Sequence, residues 1–573
     1  MSLFPFQFFR SEQPIYRKIS VADFIVLMGV VGLLYIGATI AFSAPAIVKG
    51  PVISLSPHVL PWYTLFSVTR MGIAYLLSVL FTLLYGYIAA SSRRGEQVLM
   101  PLLDILQSVP ILSFLPLVLL SLTAFLPPRI AVEIAAVVLI FTSQVWNLTF
   151  AWYQSLKSVP NELREASQIF GFTKWRQFRV LEFPFFGISF IWNSMMSWSG
   201  GWFFLMAAET FTVGHKDFRL PGLGSYLKEA AIQHNWTAIA WGIAMLIFVI
   251  VFMDQVVWRP LLIWAERFKL DLVEGDVEGQ SWALNLISKS HILHTIHRKF
   301  LFPLWEWLDQ FSFKIEQKTV GGTKRFWRYL GIVAAALAFI AGAILVVQAI
   351  KLIVQVPLAA WQSIVLGVLA TFGRVVIALV LALAWTIPVG VLIGTNKRLA
   401  NFLQPLVQIA ASIPATALFP LLLLVFLNLP QGLNIAAIFL MVMGTQWYLL
   451  FNVIAGANSM PQDLKYTAAL LQLSIWQRWR VLILPCLFPF IVTGAIAATG
   501  GAWNASIVAE YVDFGGKVFK THGIGYIIAD ATGKGNYSLV LAATLVMIFT
   551  VVVINRLVWR RLYVVAQERY KME

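Results

Sequence analysis

PLLDILQSVPILSFLP, residues 101–116, aligns without a gap to PLVQIAASIPATALFP, residues 405–420. The two stretches lie 304 positions apart, and they are not alone. Arg70 matches Arg374 at the same offset, GLGSY at 222–226 matches GIGYI at 523–527, and VVWR at 256–259 matches LVWR at 557–560. The chain is a duplication, and an internal repeat constrains a fold before any single segment does. Each copy must be one structural unit.

What kind of unit follows from composition. The chain has 573 residues, 59% of them hydrophobic and only 12% charged, and its mean hydropathy is +0.79. A soluble domain carries about 25% charged residues. Apolar runs of about 20 residues, the length needed to cross a bilayer as a helix, recur throughout. They do not alternate in polarity, which excludes a transmembrane barrel. The sequence therefore predicts an all-α polytopic membrane protein. Spans are expected at 21–43, 63–90, 101–126, 130–153, 184–211 and 237–262, and again at 329–353, 363–394, 402–428, 432–456, 485–511 and 538–559. That is about 12 transmembrane helices in two tandem six-helix repeats. An even number of spans per repeat makes the copies parallel, related by an axis along the membrane normal.

The expected organisation is a first half at 1–262, a linker at 263–328 and a second half at 329–573. In the linker, KLDLVEGDVEGQS is polar, and LWEWLDQF at 304–311 has the spacing of an interfacial helix. The net charge of +16 raises nucleic acid as a partner, but the basic residues sit in short segments between apolar runs. That placement is topology control. Arg17 and Lys18, Arg93 and Arg94, Lys174, Arg176 and Arg179, then Arg259 and Arg267, fall at alternate loops and place the N-terminus in the cytoplasm. The N-terminal apolar stretch Val21–Phe42 is longer than a signal-peptide core and reads as an uncleaved first span. Cys486 is the one cysteine, so the chain can form neither an internal disulfide nor a cysteine metal cluster.

One polar stretch interrupts each half. ELREASQIFGFTKWRQFRVLEFP at 162–184 has a copy, DLKYTAALLQLSIWQRWRVLILP, at 463–485. Pro160 and Asn161 can open a helix, Glu162 and Glu165 suit its positive end, and Gly171 can break it. Two short helices running straight into the next span would form a rigid lever; a solvated connecting loop is the competing reading. The residues alone leave both open. The pattern Glu165-Ala166-Ser167, then Gly171, then Leu181-Glu182-Phe183-Pro184, resembles the E-A-A-x3-G-x9-I-x-L-P motif of binding-protein-dependent ABC importer permeases. The resemblance runs over both halves and implies a type I ABC importer permease fold. It implies coupling helices at about 160–180 and 461–481, each docking one of two cytoplasmic ABC ATPase subunits. The second copy departs from the motif, with Tyr466, Thr467 and Ala468 for the first triplet and Gln472 for the glycine, while Pro485 is kept. Unequal coupling by the two halves is the expectation that follows.

Gly201-Trp202 with Ala208-Glu209, and Trp503 with Ala509-Glu510, look like the nitrate/sulfonate/taurine-type branch of that family, and the GLG and GIG segments fit it also. The resemblance implies a bacterial inner-membrane permease for a small oxyanion or organic anion. An extracytoplasmic solute-binding protein would deliver the solute, and ATP and Mg would be bound by the partner subunits. This chain has no G-x4-G-K-[ST] and is expected to bind no cofactor and catalyse no reaction. An ion-gradient-driven secondary transporter with parallel repeats is the alternative; it leaves the polar stretches without a role.

Further candidates each keep two readings. Glu209 and Glu510, late in span 5 of each half, either line the path or brace the span ends through a nearby Lys or Arg. Ser108 and Pro110, with Ser412 and Pro414, either open a cavity-lining helix or kink it for packing. Trp202, Trp503, Trp258 and Trp559 are anchors or packing. Lys216, Arg219, Lys228, Lys517, Lys520 and Lys534 put basic charge where topology alone does not ask for it, either to dock a partner or draw in an anion, or merely as solvated charge. His291, His294 and His297 share a spacing of three, but neither a carboxylate nor a cysteine joins them, so no metal site is expected.

Overall fold

The computed structural model describes residues 21–42, 48, 50–213, 216–265, 340–458, 460, 462–514 and 517–569. Most of the linker lies outside the described residues, including the expected interfacial helix at 304–311 and the three histidines. So does the beginning of the span expected at 329–353.

The first half runs α1 (Val21–Ala41), α2 (Leu60–Ser91), α3 (Arg93–Ser108), α4 (Ile111–Phe125), α5 (Pro128–Ser158), α6 (Asn161–Ile169), α7 (Lys174–Gln177), α8 (Phe183–Glu209), α9 (Leu223–Ile232), α10 (Trp236–Met253) and α11 (Arg259–Ala265). The second half repeats the order. It has α12 (Ile340–Val354), α13 (Leu358–Thr395), α14 (Lys397–Ser412), α15 (Ala415–Phe426), α16 (Gly432–Asn458), α17 (Gln462–Leu470), α18 (Ile475–Gln477), α19 (Leu484–Ala509), α20 (Ile524–Gly533), α21 (Tyr537–Ile554) and α22 (Arg560–Arg569). Seven helices among the described residues are long and apolar enough to cross a membrane, and four shorter apolar helices accompany them. After α8 and α19 the chain makes a small antiparallel hairpin, β1 (Thr212–Val213) with β2 (Lys216–Asp217) and β3 (Tyr511–Phe514) with β4 (Lys517–Lys520). Hydrophobic runs gave no sign of these short strands.

The long helices are built inside out compared with soluble ones. On α2 the buried line is Ser67, Arg70, Ala74, Ser78, Thr82, Gly86 and Ala89, while Leu76, Leu80 and Leu84 are exposed. On α13 the line is Gly367, Thr371, Arg374, Ala378, Ala382, Thr386 and Gly390. Small residues bring backbones close, and leucines face outward, because lipid offers no penalty to apolar surface. Thr82 and Thr149 join α2 to α5 by a buried hydroxyl pair at 3.0 Å.

Span 3 of each half, expected at 101–126 and 402–428, is broken at Pro110 and Pro414. It is two helices. Val109 and Ile413 are extended, because a residue preceding proline is pushed out of the helical region. Pro110 and Pro414 then stand before α4 and α15. The first pieces start earlier than expected, at Arg93 and Lys397. The Ser92 hydroxyl accepts from the Gly95 N–H at 3.0 Å, and Asn396 Oδ1 accepts from the Arg398 and Leu399 N–H groups.

These joints lie on the seam between the halves. The Leu112 N–H, in the first turn of α4, donates to Asn504 Oδ1 of α19 at 3.2 Å. In the related place, Thr416 Oγ1 of α15 donates to the Phe203 carbonyl of α8 at 2.9 Å. Leu112 and Thr416 are one duplicated position, and Phe203 and Asn504 are another. The two halves therefore meet as a parallel pair, α4 packing on α19 and α20, and α15 on α8 and α9.

Trp202, Trp503 and Trp258 are buried core residues, so packing is their role in the fold. Asn161 opens α6 instead of capping it; Pro160 precedes the helix.

The turn after α6 is left-handed at Gly171, with φ +65°. After α17 the same place is taken by Gln472 with φ +50°. The wrapping bonds are the same, Phe172 N–H to the Ser167 carbonyl at 2.9 Å and Leu473 N–H to the Ala468 carbonyl at 3.2 Å. The turn has survived the loss of its glycine, at the cost of holding a side chain where L-residues are disfavoured. Gln472→Gly should relax this turn and slow hydrogen exchange at the Leu473 amide by roughly two- to fivefold. An unchanged rate would mean the strain is absorbed elsewhere.

Candidate functional site

The polar stretch of the first half folds as α6, a turn and α7. Ser167 is buried and donates to the Arg164 carbonyl at 2.7 Å, and Arg164 in turn donates to the Leu156 carbonyl at the end of α5. Thr173 caps α7 by accepting from Arg176 N–H at 3.2 Å, and the Arg176 guanidinium lies over the Phe172 ring at 4.8 Å. Glu162 and Glu165 face solvent, Ala166 is half-buried, and Ile169 and Phe170 at the tip are 84% and 76% exposed. A π-helical turn, Phe178–Glu182, carries the chain without interruption into α8, with Pro184 in its first turn.

The second copy keeps this build and exposes more apolar surface. Tyr466 is 65% exposed; Leu470, Ile475 and Trp476 are 83%, 79% and 74% exposed. Thr467 is exposed and Ala468 buried. Ser474 forms a full capping box with Gln477, and the π turn Arg478–Ile483 leads into α19 with Pro485 at its start. Both tips lie at one end of the structure, since each precedes a long helix whose other end carries a hairpin.

At that hairpin end the structure unites residues that the sequence paired only by alignment. Glu209 is fully buried. Its Oε1 accepts from Ser67 Oγ at 2.6 Å and from Arg70 Nη1 at 2.9 Å, and its Oε2 from the Gly224 N–H at 2.8 Å. Arg70 also grips Glu133 with two donors at 2.6 and 2.7 Å and the Pro221 carbonyl at 2.9 Å. A Cβ on Gly222 would overlap the Glu209 carboxylate, which is why GLG is spelled with glycine there. The second half repeats the scheme. Glu510 accepts from Thr371 Oγ1 at 2.7 Å, Arg374 Nη1 at 2.8 Å and the Gly525 N–H at 2.8 Å. Asn434 stands where Glu133 stands and accepts from Arg374 Nε at 3.0 Å. Ser67, Thr371, Glu133 and Asn434 were missed in the sequence; the signal available was their place at the repeat offsets of 304 and 301.

A cavity of about 70 Å³ lies between the halves just beyond this network, lined among others by Thr210, Lys228, Thr416, Tyr511, Asp513 and Ala529. Glu209, Glu510, Pro110 and Pro414 are not on its wall. The glutamates are turned back into their own halves by arginine, and the two prolines stand at helix joints. Ser108 and Ser412 end α3 and α14.

The six basic residues of the hairpin end separate clearly. Arg219 bonds Asp217 and Glu229, and Lys534 pairs with Asp530 at 2.7 Å. The Lys520 ammonium lies 5.4 Å over the Tyr526 ring, and Lys517 is exposed. Lys216 is buried, which lowers its pKa, and reaches the Tyr537 hydroxyl of the other half at 3.5 Å. Lys228, 9% exposed, is the one of the six on the cavity wall. Its ammonium donates to the Thr210 carbonyl at 2.9 Å and Thr212 Oγ1 at 3.0 Å. Burial pulls it down to about 8, opposed by the charge of Asp513.

Comparison with known proteins agrees with this duplication. The profile of the family described as binding-protein-dependent transport system inner membrane component matches twice, at residues 82–257 and 386–565. The nitrate import permease protein NrtB of Synechococcus elongatus is 34% identical over 170 residues, 30% of this chain and 57% of that protein. The bicarbonate transport system permease protein CmpB of the same organism is 33% identical over 185 residues, 32% of this chain and 62% of that protein. The putative aliphatic sulfonates transport permease protein SsuC of Bacillus subtilis is 29% identical over 165 residues, 29% of this chain and 55% of that protein. In each case less than two thirds of the relative's own length is covered. Both polar stretches, both α8-type helices and both buried glutamates fall inside the matched residues, and the chain belongs, with two family domains in tandem, to the binding-protein-dependent transport system inner membrane components.

Proposed function

We propose that this chain is the transmembrane subunit of an ATP-driven importer, with two permease halves forming one solute path. The observation that carries the reading is the pair of rigid helix–turn–helix tips at one end of the molecule. Exposed apolar side chains outside the membrane need a partner, and each tip continues unbroken into the helix that ends at the cavity. Two cytoplasmic ATPase subunits would cover the tips, bind ATP and Mg, and do the hydrolysis; this chain itself would catalyse nothing. Their closure would press the tips together and tilt α8 and α19, whose far ends are tied into the Arg70–Glu209 and Arg374–Glu510 networks.

In this reading the tips are cytoplasmic, as is the N-terminus, in a bacterial inner membrane. The first half would end near residue 262, a cytoplasmic linker would run to about 328, and the second half would follow. A solute-binding protein would deliver a small oxyanion or organic anion to the hairpin end. The relatives support this class, being nitrate, bicarbonate and sulfonate permeases by name.

The test is purification from the native host in mild detergent, alongside the variant carrying Glu165→Lys and Gly171→Pro. ATPase subunits recovered with the native chain and at least tenfold depleted with the variant are expected. A chain that brings no ATPase and transports unaltered in the variant would establish the ion-gradient reading instead.

A further inference from the structure

The duplication has made its cavity unequal. Position 228 of the first half is lysine, and its copy in the second half is Ala529; position 212 is threonine, and its copy is Asp513. Lys228, Ala529, Thr212 and Asp513 all line the same space between the halves. One ammonium and one carboxylate thus line a cavity whose other walls are mostly apolar. A space of about 70 Å³ holds on the order of five waters, or a small ion with little of its shell.

We infer that Lys228 is the single anion-reading residue of the solute path, and that Asp513, lining the same cavity, keeps the anion's stay short. This rests on the importer reading above. Two of the three ammonium donors are taken by the Thr210 carbonyl and Thr212 Oγ1, which fixes the head and leaves one N–H for a passing oxyanion. In so apolar a setting a charged hydrogen bond is strong enough to select charge over size. A transit site must also let go, as conduction through any pore requires, and a like charge lining the same cavity supplies that. Because Ala529 carries no charge, there is one such station and not two.

The competing role for Lys228 is purely structural. It caps the carbonyl end of α8, where a cation is favourable. The experiment therefore includes a residue that caps nothing. The transporter, assembled with its ATPase and binding-protein partners in proteoliposomes at pH 6.5, is assayed for uptake of nitrate, bicarbonate and ethanesulfonate separately. Lys228→Met should lower kcat/KM for the carried anion at least tenfold, and Lys228→Arg should restore it to within about threefold. Asp513→Asn should lower KM about threefold or more and slow release, seen as a lower kcat. If Lys228→Met fails to assemble, Lys228→Arg and Asp513→Asn decide. An unchanged KM in Asp513→Asn would reduce Lys228 to a helix cap and overturn the proposal while leaving the importer reading in place. A native transporter that hydrolyses ATP yet carries none of the three anions would overturn the small-anion reading itself.

Discussion

Arg70→Met should strip the first half of about 3–5 kcal/mol, because Glu209 would be left buried, charged and without its cation. The loss comes from Glu209 far more than from Glu133, whose side chain is 44% exposed and can turn to solvent. The double variant Arg70→Met with Glu209→Gln removes both charges and should regain most of the loss. The melting point of the detergent-purified chain, followed by size exclusion, reads the cycle. Equal losses in the single and double variants would show that the stranded charge is not what destabilises. Arg374→Met should follow the same rule with Glu510, which is equally enclosed.

Gly222→Ala and Gly523→Ala carry the second large expectation. Neither glycine needs its conformational freedom, since both are extended at φ 178° and 179°. What they supply is absence. A methyl group on either would sit on the carboxylate of Glu209 or Glu510. The carboxylate has nowhere to go, being held by a hydroxyl, an arginine and a backbone N–H at once. Overpacking costs about 1–3 kcal/mol, and loss of the hydrogen bonds to the displaced charge adds about 1–3 kcal/mol. Uptake should fall with the melting point, because the far ends of α8 and α19 would no longer be anchored. A variant melting within a degree of native would show that the glycine loop yields freely.

Much of this was legible in the residues. Apolar runs of span length, proline joints at 110 and 414, and a repeat offset visible at Arg70 and Arg374 are strong local signals. The polar stretches were legible for the same reason: charge between greasy runs stands out. What the sequence could not give was partnership. Glu133 and Glu209 lie 63 and 139 residues from Arg70 and nothing local announces either bond. The six basic residues of the hairpin end looked alike as letters, yet one faces the cavity, others are paired, and one is solvated. The weakened motif at 466–472 shows the limit in a different way. The glycine is gone, yet φ at Gln472 follows φ at Gly171, so the fold holds the turn against a local preference of about 1–2 kcal/mol.

The π-helical turns put a date on the molecule. They occur at Phe178–Glu182 and Arg478–Ile483, and again at Asp254–Trp258 and Asn555–Trp559, the same columns of both copies. Such a turn is a one-residue insertion accommodated within a helix. Two insertions shared by two copies are most simply two events and not four, each older than the duplication. A single unit that already carried both widened turns when it was duplicated accounts for all four of them. The turns have been kept in both copies, while the cavity positions have diverged, Lys228 from Ala529 and Asp513 from Thr212.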